Sequence, residues 1–316
     1  MFDTPILFLI FNRPDTTKRV FERIREVKPR QLFIAADGPR KGNEIDLINC
    51  RAARDIVNNV DWDCEVETLF RDANLGCGKA LSGAITWFFK NVEEGIILED
   101  DTLPDSSFFT FCRDLLEYYR TSNQILVISG NNFQEGKIRG NASYYFSRYP
   151  HIWGWATWRR AWRFYQVNCK DLNEFILSPL FKEVTNSRKE RRYWQQLFMK
   201  VENEEVDTWD YSWLYTVWSH NGITILPNFN LVENIGFGIN ATHTFGSNVD
   251  YKKNILGSIS DIIHPNKIIV NRQADMFTFK TYFSSKVSLK NKLRNLAYKV
   301  IPDGYYKKLK QFFGRS

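Results

Sequence analysis

The sequence predicts an α/β fold, a mostly parallel sheet with helices on both of its faces. Three observations predict it. Short β-rich apolar runs alternate with helical patterns through the first half of the 316 residues, as in chains whose strands are joined by helical crossovers. The opening run, residues 6–11, is apolar at every position. Each run also ends in polar or turn residues: Asn12-Arg13, Asp37-Gly38, Arg71-Asp72, Glu99-Asp100-Asp101 and Ser129-Gly130-Asn131-Asn132. In open α/β sheets those are the positions, beyond the carboxyl ends of the strands, where ligands bind.

The elements follow in order. Residues 6–11 form the first strand and stop at Asn12-Arg13-Pro14. A helix follows with Asp15 near its start and Thr17, Val20, Ile24 and Val27 along one face. Residues 32–36 form a second strand broken by Asp37-Gly38-Pro39, and residues 65–70 a third. After the loop at 74–78 a helix begins near Lys79, with Leu81, Ala84, Ile85, Phe88, Phe89 and Val92 at helical spacing and therefore in the core. Residues 96–98 form a fourth strand that runs straight into Glu99-Asp100-Asp101, ahead of a helix starting near Ser106. Residues 125–129 form a fifth. The second half is less regular, rich in Trp, Tyr and Asn, with one further clear strand at 223–226.

Composition narrows the class. Hydrophobic residues make up 43% and charged residues 25%, as in soluble globular proteins. No stretch approaches the roughly 20 apolar residues of a membrane-spanning helix, and the short apolar run after Pro5 is not expected to be a signal peptide. Five scattered cysteines without a C-x-x-C pair suggest reduced thiols in a cytoplasm rather than a disulfide framework or a zinc site. The net charge of +7 is local: residues 286–316 hold nine Lys/Arg and one acid, leaving the body at −1. That body disfavours a nucleic-acid partner. The tail interleaves Leu289, Leu293, Leu296, Val300 and, after Pro302-Asp303-Gly304, Tyr305, Tyr306, Phe312 and Phe313 with its basic residues. Such segments lie on anionic membrane surfaces or pack as a solvated helix on the domain. The economical organisation is one domain, 1–285, and a basic amphipathic tail, 286–316, on a protein that is cytoplasmic and peripheral to the inner face of the cell membrane.

The sharpest chemical signal is Glu99-Asp100-Asp101. Three consecutive acids at a strand end repel one another unless solvent or a cation relieves them. Hard cations such as Mg²⁺ and Mn²⁺ take oxygen ligands of this kind, often one or two carboxylates plus substrate phosphates. A solvated turn is the plain alternative. Eight of the ten tryptophans lie between Trp153 and Trp218, which reads as core packing combined with flat platforms for sugar rings.

In order, Pro5-Ile6-Leu7 through Asn12-Arg13, Asp37, Glu99-Asp100-Asp101, Trp153-Gly154-Trp155 with Trp162, Trp209-Asp210, and Asn234-Ile235-Gly236-Phe237-Gly238 with His243 carry a resemblance. The chain resembles GT-A (Rossmann-like) glycosyltransferases, within them the N-acetylglucosaminyltransferase I type and its bacterial relatives, over roughly residues 5–245. The resemblance implies a nucleotide-sugar-binding half, 1–135, and an acceptor-binding half, 136–285. It implies that Arg13, Asp37 and Arg71 hold the base and ribose, and that Asp101 is the direct metal ligand. Glu99 and Asp100 would contact ribose, sugar or metal-bound water, and His243 metal or phosphate. Asp210 would be the general base of an inverting transfer, with Asp207 its near rival. Two departures stand out: Asn12 replaces an aspartate of the family pattern, and Lys79 has no counterpart, which suggests a contact with the diphosphate. The expected partners are a UDP-sugar, for instance UDP-N-acetylglucosamine, Mn²⁺ or Mg²⁺, and a glycan or lipid-linked glycan acceptor in surface glycan synthesis. A nucleotide-sugar-forming nucleotidyltransferase is the rival enzyme, disfavoured by the lack of a Gly-rich phosphate loop near the N-terminus. A non-catalytic glycan-binding module is the rival of another class, and it would need neither the acid triplet nor Asp210.

Overall fold

The structure, a computed structural model, describes residues 2–236 and 255–284. Phe237, Gly238, His243 and the tail at 286–316 therefore lie outside the described residues.

The chain opens with β1 (Ile6–Ile10), buried at all five positions. Pro14 begins α1 (Pro14–Val27); its ring pre-sets a helical φ, and the N–H it lacks would go unpaired in a first turn. Thr17, Val20, Phe21 and Ile24 face inward. Then come β2 (Gln31–Ala36), α2 (Glu44–Arg54), β3 (Glu65–Phe70) and α3 (Cys77–Asn91). Next are β4 (Glu94–Glu99), the short β5 (Thr102–Pro104), α4 (Ser106–Tyr118) and β6 (Ile125–Ser129). β7 (Tyr144–Ser147) and β8 (Trp155–Trp158) precede the short helices α5 (Arg159–Trp162), α6 (Leu172–Leu177) and α7 (Pro179–Val184). The longer α8 (Arg188–Glu202) and α9 (Asp210–Ser219) lead to β9 (Ile223–Pro227), β10 (Val232–Asn234) and α10 (Arg272–Thr278).

Eight strands form one sheet in the order β3-β2-β1-β4-β8-β6-β9-β7. β8 and β7 run against the others, so the sheet is mostly parallel, as expected. Alternation along β1 divides the core: Ile6, Phe8 and Ile10 pack with α1 and α4 on one face, Leu7 and Leu9 with α3, α8 and α9 on the other. Burial of each such side chain contributes about 1.5–3 kcal/mol. The first half follows the order read from the sequence. In the second half, β7 and β8 are additional. β8 is four residues, two of them tryptophans, with no alternation to announce it, and it pairs with β4 and β6 across the sheet. The sheet thereby crosses residue 135, where the sequence suggested a division into halves. β4 also starts two residues earlier than expected, at Glu94-Gly95. Glycine is a poor strand former, but the Phe88 ring lies 2.3 Å from where a Cβ on Gly95 would sit, so the strand requires it there.

Candidate active site

The carboxyl ends of β1, β2, β3, β4 and β6 open into a cleft of about 790 Å³. The sheet order reverses between β1 and β4, since the chain builds outward to β3 before returning to β4 beside β1. Crevices at such reversals are where α/β sheets bind ligands.

Glu99-Asp100-Asp101 sits at this reversal, on the end of β4. Asp100 is buried, and its Oδ2 accepts the Phe11 N–H at 3.0 Å. Arg13, on the loop after β1, donates from Nη1 to Asp101 Oδ2 at 2.6 Å and Asp100 Oδ1 at 3.3 Å. Burial, then the Asp101 charge, pushes the Asp100 carboxyl up to about 7, with Arg13 and the Phe11 N–H opposing. Glu99 is pushed well above the usual carboxylate range by burial and by Asp101, Asp100 and Asp210. The self-repulsion read from the sequence is thus relieved by a guanidinium. The Asn234-Ile235-Gly236 segment is zipped onto the triplet: β10 pairs with β5, and the Ile235 N–H donates to the Asp101 carbonyl at 2.8 Å. A Cβ on Gly236 would lie 2.2 Å from Asp101 Oδ2, so this contact requires glycine.

The two rival aspartates separate clearly. Asp207 is exposed, and its carboxylate reaches the start of α3, accepting the N–H groups of Cys77 at 3.0 Å and Gly78 at 2.9 Å. It caps that helix from 130 residues away, satisfying donors that a helix start leaves unpaired. Asp210 is half-buried at the first position of α9 and lines the cleft. Its Oδ1 accepts the Tyr211 N–H at 2.9 Å and the Thr208 hydroxyl.

On the β2–β3 side, Asp37 and Arg71 line the cleft. The Asp37 carboxylate holds the following loop, accepting from the Leu75 N–H, the Asn74 side-chain amide at 2.9 Å and the Gly38 N–H. Arg54 donates to the Asp37 and Arg71 carbonyls and ties the two strand ends together. The Arg71 guanidinium makes no ion pair among the described residues. Lys79 is exposed on α3 and is not part of the cleft wall. Its distance from the other candidates follows from the helix starting at Cys77, which puts residue 79 on the outer face.

Arg40 and Asp46 escaped the sequence reading. Arg40 lines the cleft, and its Nε and Nη2 grip Asp46 at 2.5 and 2.8 Å. The Arg40 hydrogen bonds, with one from Asn12, hold the Asp46 carboxyl down at about 2. Asn12 thus ties the end of β1 to α2. The tryptophans are chiefly core: Trp155, Trp158, Trp194, Trp213 and Trp218 are fully buried, and Trp155 stacks on Trp209 at 5.6 Å. Trp153 is the half-buried exception on the cleft wall. Also missed were Phe133 and His151, which line the same cleft after β6 and before β8.

A divalent cation suits the donor chemistry at β4, where Asp101 and Glu99 offer hard oxygen ligands on the wall; to reach Asp101 Oδ2 it would displace the Arg13 guanidinium. Among the described residues no three acidic, His or Cys side chains form a ready-made cage, so substrate phosphate or water would complete the shell.

No family model matches the chain, and no curated protein matches it. Among solved structures it is similar to HddC from Yersinia pseudotuberculosis, alone and complexed with GMP-PN. Both show 10% identity and a TM-score of 0.29, over 50% of this chain and 77% of that one. It is also similar to the inositol-1-phosphate CTP transferase from T. maritima, with 8% identity and a TM-score of 0.25 over 42% of this chain and 58% of that one. None of these is described as a glycosyltransferase. Likeness this slight carries no argument about function.

Proposed function

We propose that the chain is a nucleotide-using transferase, and specifically a glycosyltransferase that takes a sugar from a UDP-sugar, with UDP-N-acetylglucosamine the first donor to try. The observation that carries it is the acid triplet at the sheet's reversal, sharing one cleft with Arg13, Arg71 and Asp210. Arg71, at the β3 end, suits the base and ribose, whose oxygens its planar fork of donors can pair with. Asp101 with Glu99 would hold Mg²⁺ or Mn²⁺, whose charge supports departure of the diphosphate. Asp210 takes the proton of an acceptor hydroxyl as that oxygen bonds to the anomeric carbon. The bond from that carbon to the diphosphate breaks, its electron pair leaves with the nucleotide, and the configuration inverts. The acceptor proposed is a glycan or lipid-linked glycan.

A second reading is synthesis of the nucleotide-sugar, in which a sugar phosphate attacks a nucleoside triphosphate and pyrophosphate leaves. Acidic and arginine side chains lining one cleft serve that reaction equally well. One assay separates the two. The full-length protein with Mn²⁺ or Mg²⁺ is given a panel of nucleotide-sugars, and separately nucleoside triphosphates with sugar 1-phosphates. Metal-dependent release of UDP from a nucleotide-sugar supports the glycosyltransferase. Pyrophosphate release from a triphosphate, with every nucleotide-sugar left intact, replaces it with the second reading.

A further inference from the structure

The cleft has an aromatic side, built where β6 and β8 meet. Phe133 follows β6 in a loop pinned from several sides. The Asn132 N–H donates to Asn230 Oδ1 at 2.8 Å, and the Asn132 side-chain amide donates to the Pro227 carbonyl at 2.7 Å. The Gln134 amide reaches Thr278 Oγ1 at 2.9 Å. Phe133 itself takes a left-handed conformation, φ 50°, uncommon for a bulky residue and sustained here by that network. Among the described residues its ring meets His151 at 4.5 Å, Trp153 at 4.7 Å and Tyr282 at 5.0 Å between centroids.

His151 is the telling member. Only 4% of it is exposed, it lines the cleft, and its Nε2 has no hydrogen-bond partner among the described residues. A buried polar atom left unpaired is destabilising, and such an atom on a cleft wall is a place where a ligand group can pair. Burial holds the imidazole far below its usual range, at about 3, so at neutral pH it is uncharged and suited to a hydroxyl rather than to an anion. Aromatic walls around a single neutral hydrogen-bonding atom match a hydroxylated ring with an apolar face. They match a phosphate poorly.

We propose that this side of the cleft is a sugar-ring subsite, with Phe133, Trp153 and Tyr282 as its aromatic walls and His151 Nε2 paired with a ring hydroxyl. It rests on the glycosyltransferase reading and deepens it: the nucleotide lies toward β2 and β3, and the acceptor sugar toward β6 and β8, with Asp210 and the acid triplet in the same cleft.

The test uses full-length protein with ¹⁵N-labelled histidine, of which the chain has four. The ring nitrogens are followed by NMR as N-acetylglucosamine, glucose or galactose is titrated in, with UDP binding measured by calorimetry on the same samples. The expected result is that a sugar shifts the His151 ring resonance, identified by its loss in His151→Gln, while UDP alone leaves it in place. Phe133→Leu should weaken the sugar response by up to about tenfold, the equivalent of one aromatic contact. A His151 resonance that follows UDP instead makes this side a base pocket and overturns the subsite. No response to any of the sugars also overturns it, and the UDP calorimetry then shows whether the nucleotide reading falls with it.

Discussion

Asp210 and Asp207 lie three residues apart and have different tasks, and the structure assigns a separate measurement to each. Asp207 satisfies two N–H groups at the start of α3. Asp207→Ala should therefore lower stability by about 1 kcal/mol, as loss of a helix cap does, seen as a lower midpoint in chemical denaturation. Asp210→Asn should leave that midpoint nearly unchanged. It should reduce kcat by about 10²–10⁴, the usual share of a general base, while the donor Kd stays the same. A near-wild-type kcat for Asp210→Asn would remove it as the base. Arg71 is tested by binding. Its guanidinium faces the cleft without an ion pair among the described residues, so Arg71→Ala should weaken UDP binding by about 1.5–3 kcal/mol, the worth of a charged hydrogen bond. Equal calorimetric affinities in mutant and wild type would place the nucleotide elsewhere.

At the scale of elements, the site depends on how closely two strand ends approach the acids. β10 lies against β5, and Gly236 then passes so near Asp101 that a methyl group at that position would collide with its carboxylate. Gly130, at the end of β6, is enclosed in the same way: a Cβ there would lie 2.5 Å from Val232 Cγ2 and 2.8 Å from the Gly154 carbonyl, to which Gly130 also donates at 2.7 Å. The two alanine substitutions should differ in kind. Gly130→Ala overpacks the core and should cost about 1–3 kcal/mol in a thermal or denaturant melt. Gly236→Ala acts at the edge of the cleft and should lower metal-dependent activity more than stability. A Gly236→Ala protein with full activity would show that Asp101 tolerates displacement.

For the whole molecule, buried ionisable groups set a pH trend whose sign can be worked out. Burial raises both Asp100 and Asp275 to about 7. A carboxyl with a raised folded pKa contributes stability below its unfolded value near 3.9 and loses it as pH rises through the folded value. His151, lowered by burial to about 3, acts in the other direction, but its effect is complete above the unfolded histidine value of about 6.5. Between pH 6.5 and 8 only the carboxyls remain, so the melting temperature should fall over that window. A flat or rising curve would show that these carboxyls are ionised in the folded state well below pH 7. A further expectation at this scale concerns the basic tail, which lies outside the described residues. Full-length protein should bind anionic vesicles at low salt, by about 1 kcal/mol per basic residue near the surface, and release them as salt rises. Equal binding to neutral vesicles would remove the electrostatic basis.

Read residue by residue, the sequence determined the local parts of this protein. The apolar runs of β1, β2 and β4, the inward face of α1, and the placing of Glu99-Asp100-Asp101 at a strand end all follow from periodicities within a few residues of one another. Tertiary structure decided what depends on distant partners. It assigned Asp207 to a helix start 130 residues earlier and set Arg13 on the acids 87 and 88 residues away. It placed most of the tryptophans in the core and inserted β8 between β4 and β6. It also brought Phe133 against His151 and Trp153, with His151 Nε2 left without a partner among the described residues. The physical reason is that periodicity records which face of an element is buried, whereas the identity of what covers that face is fixed only when remote segments close on one another.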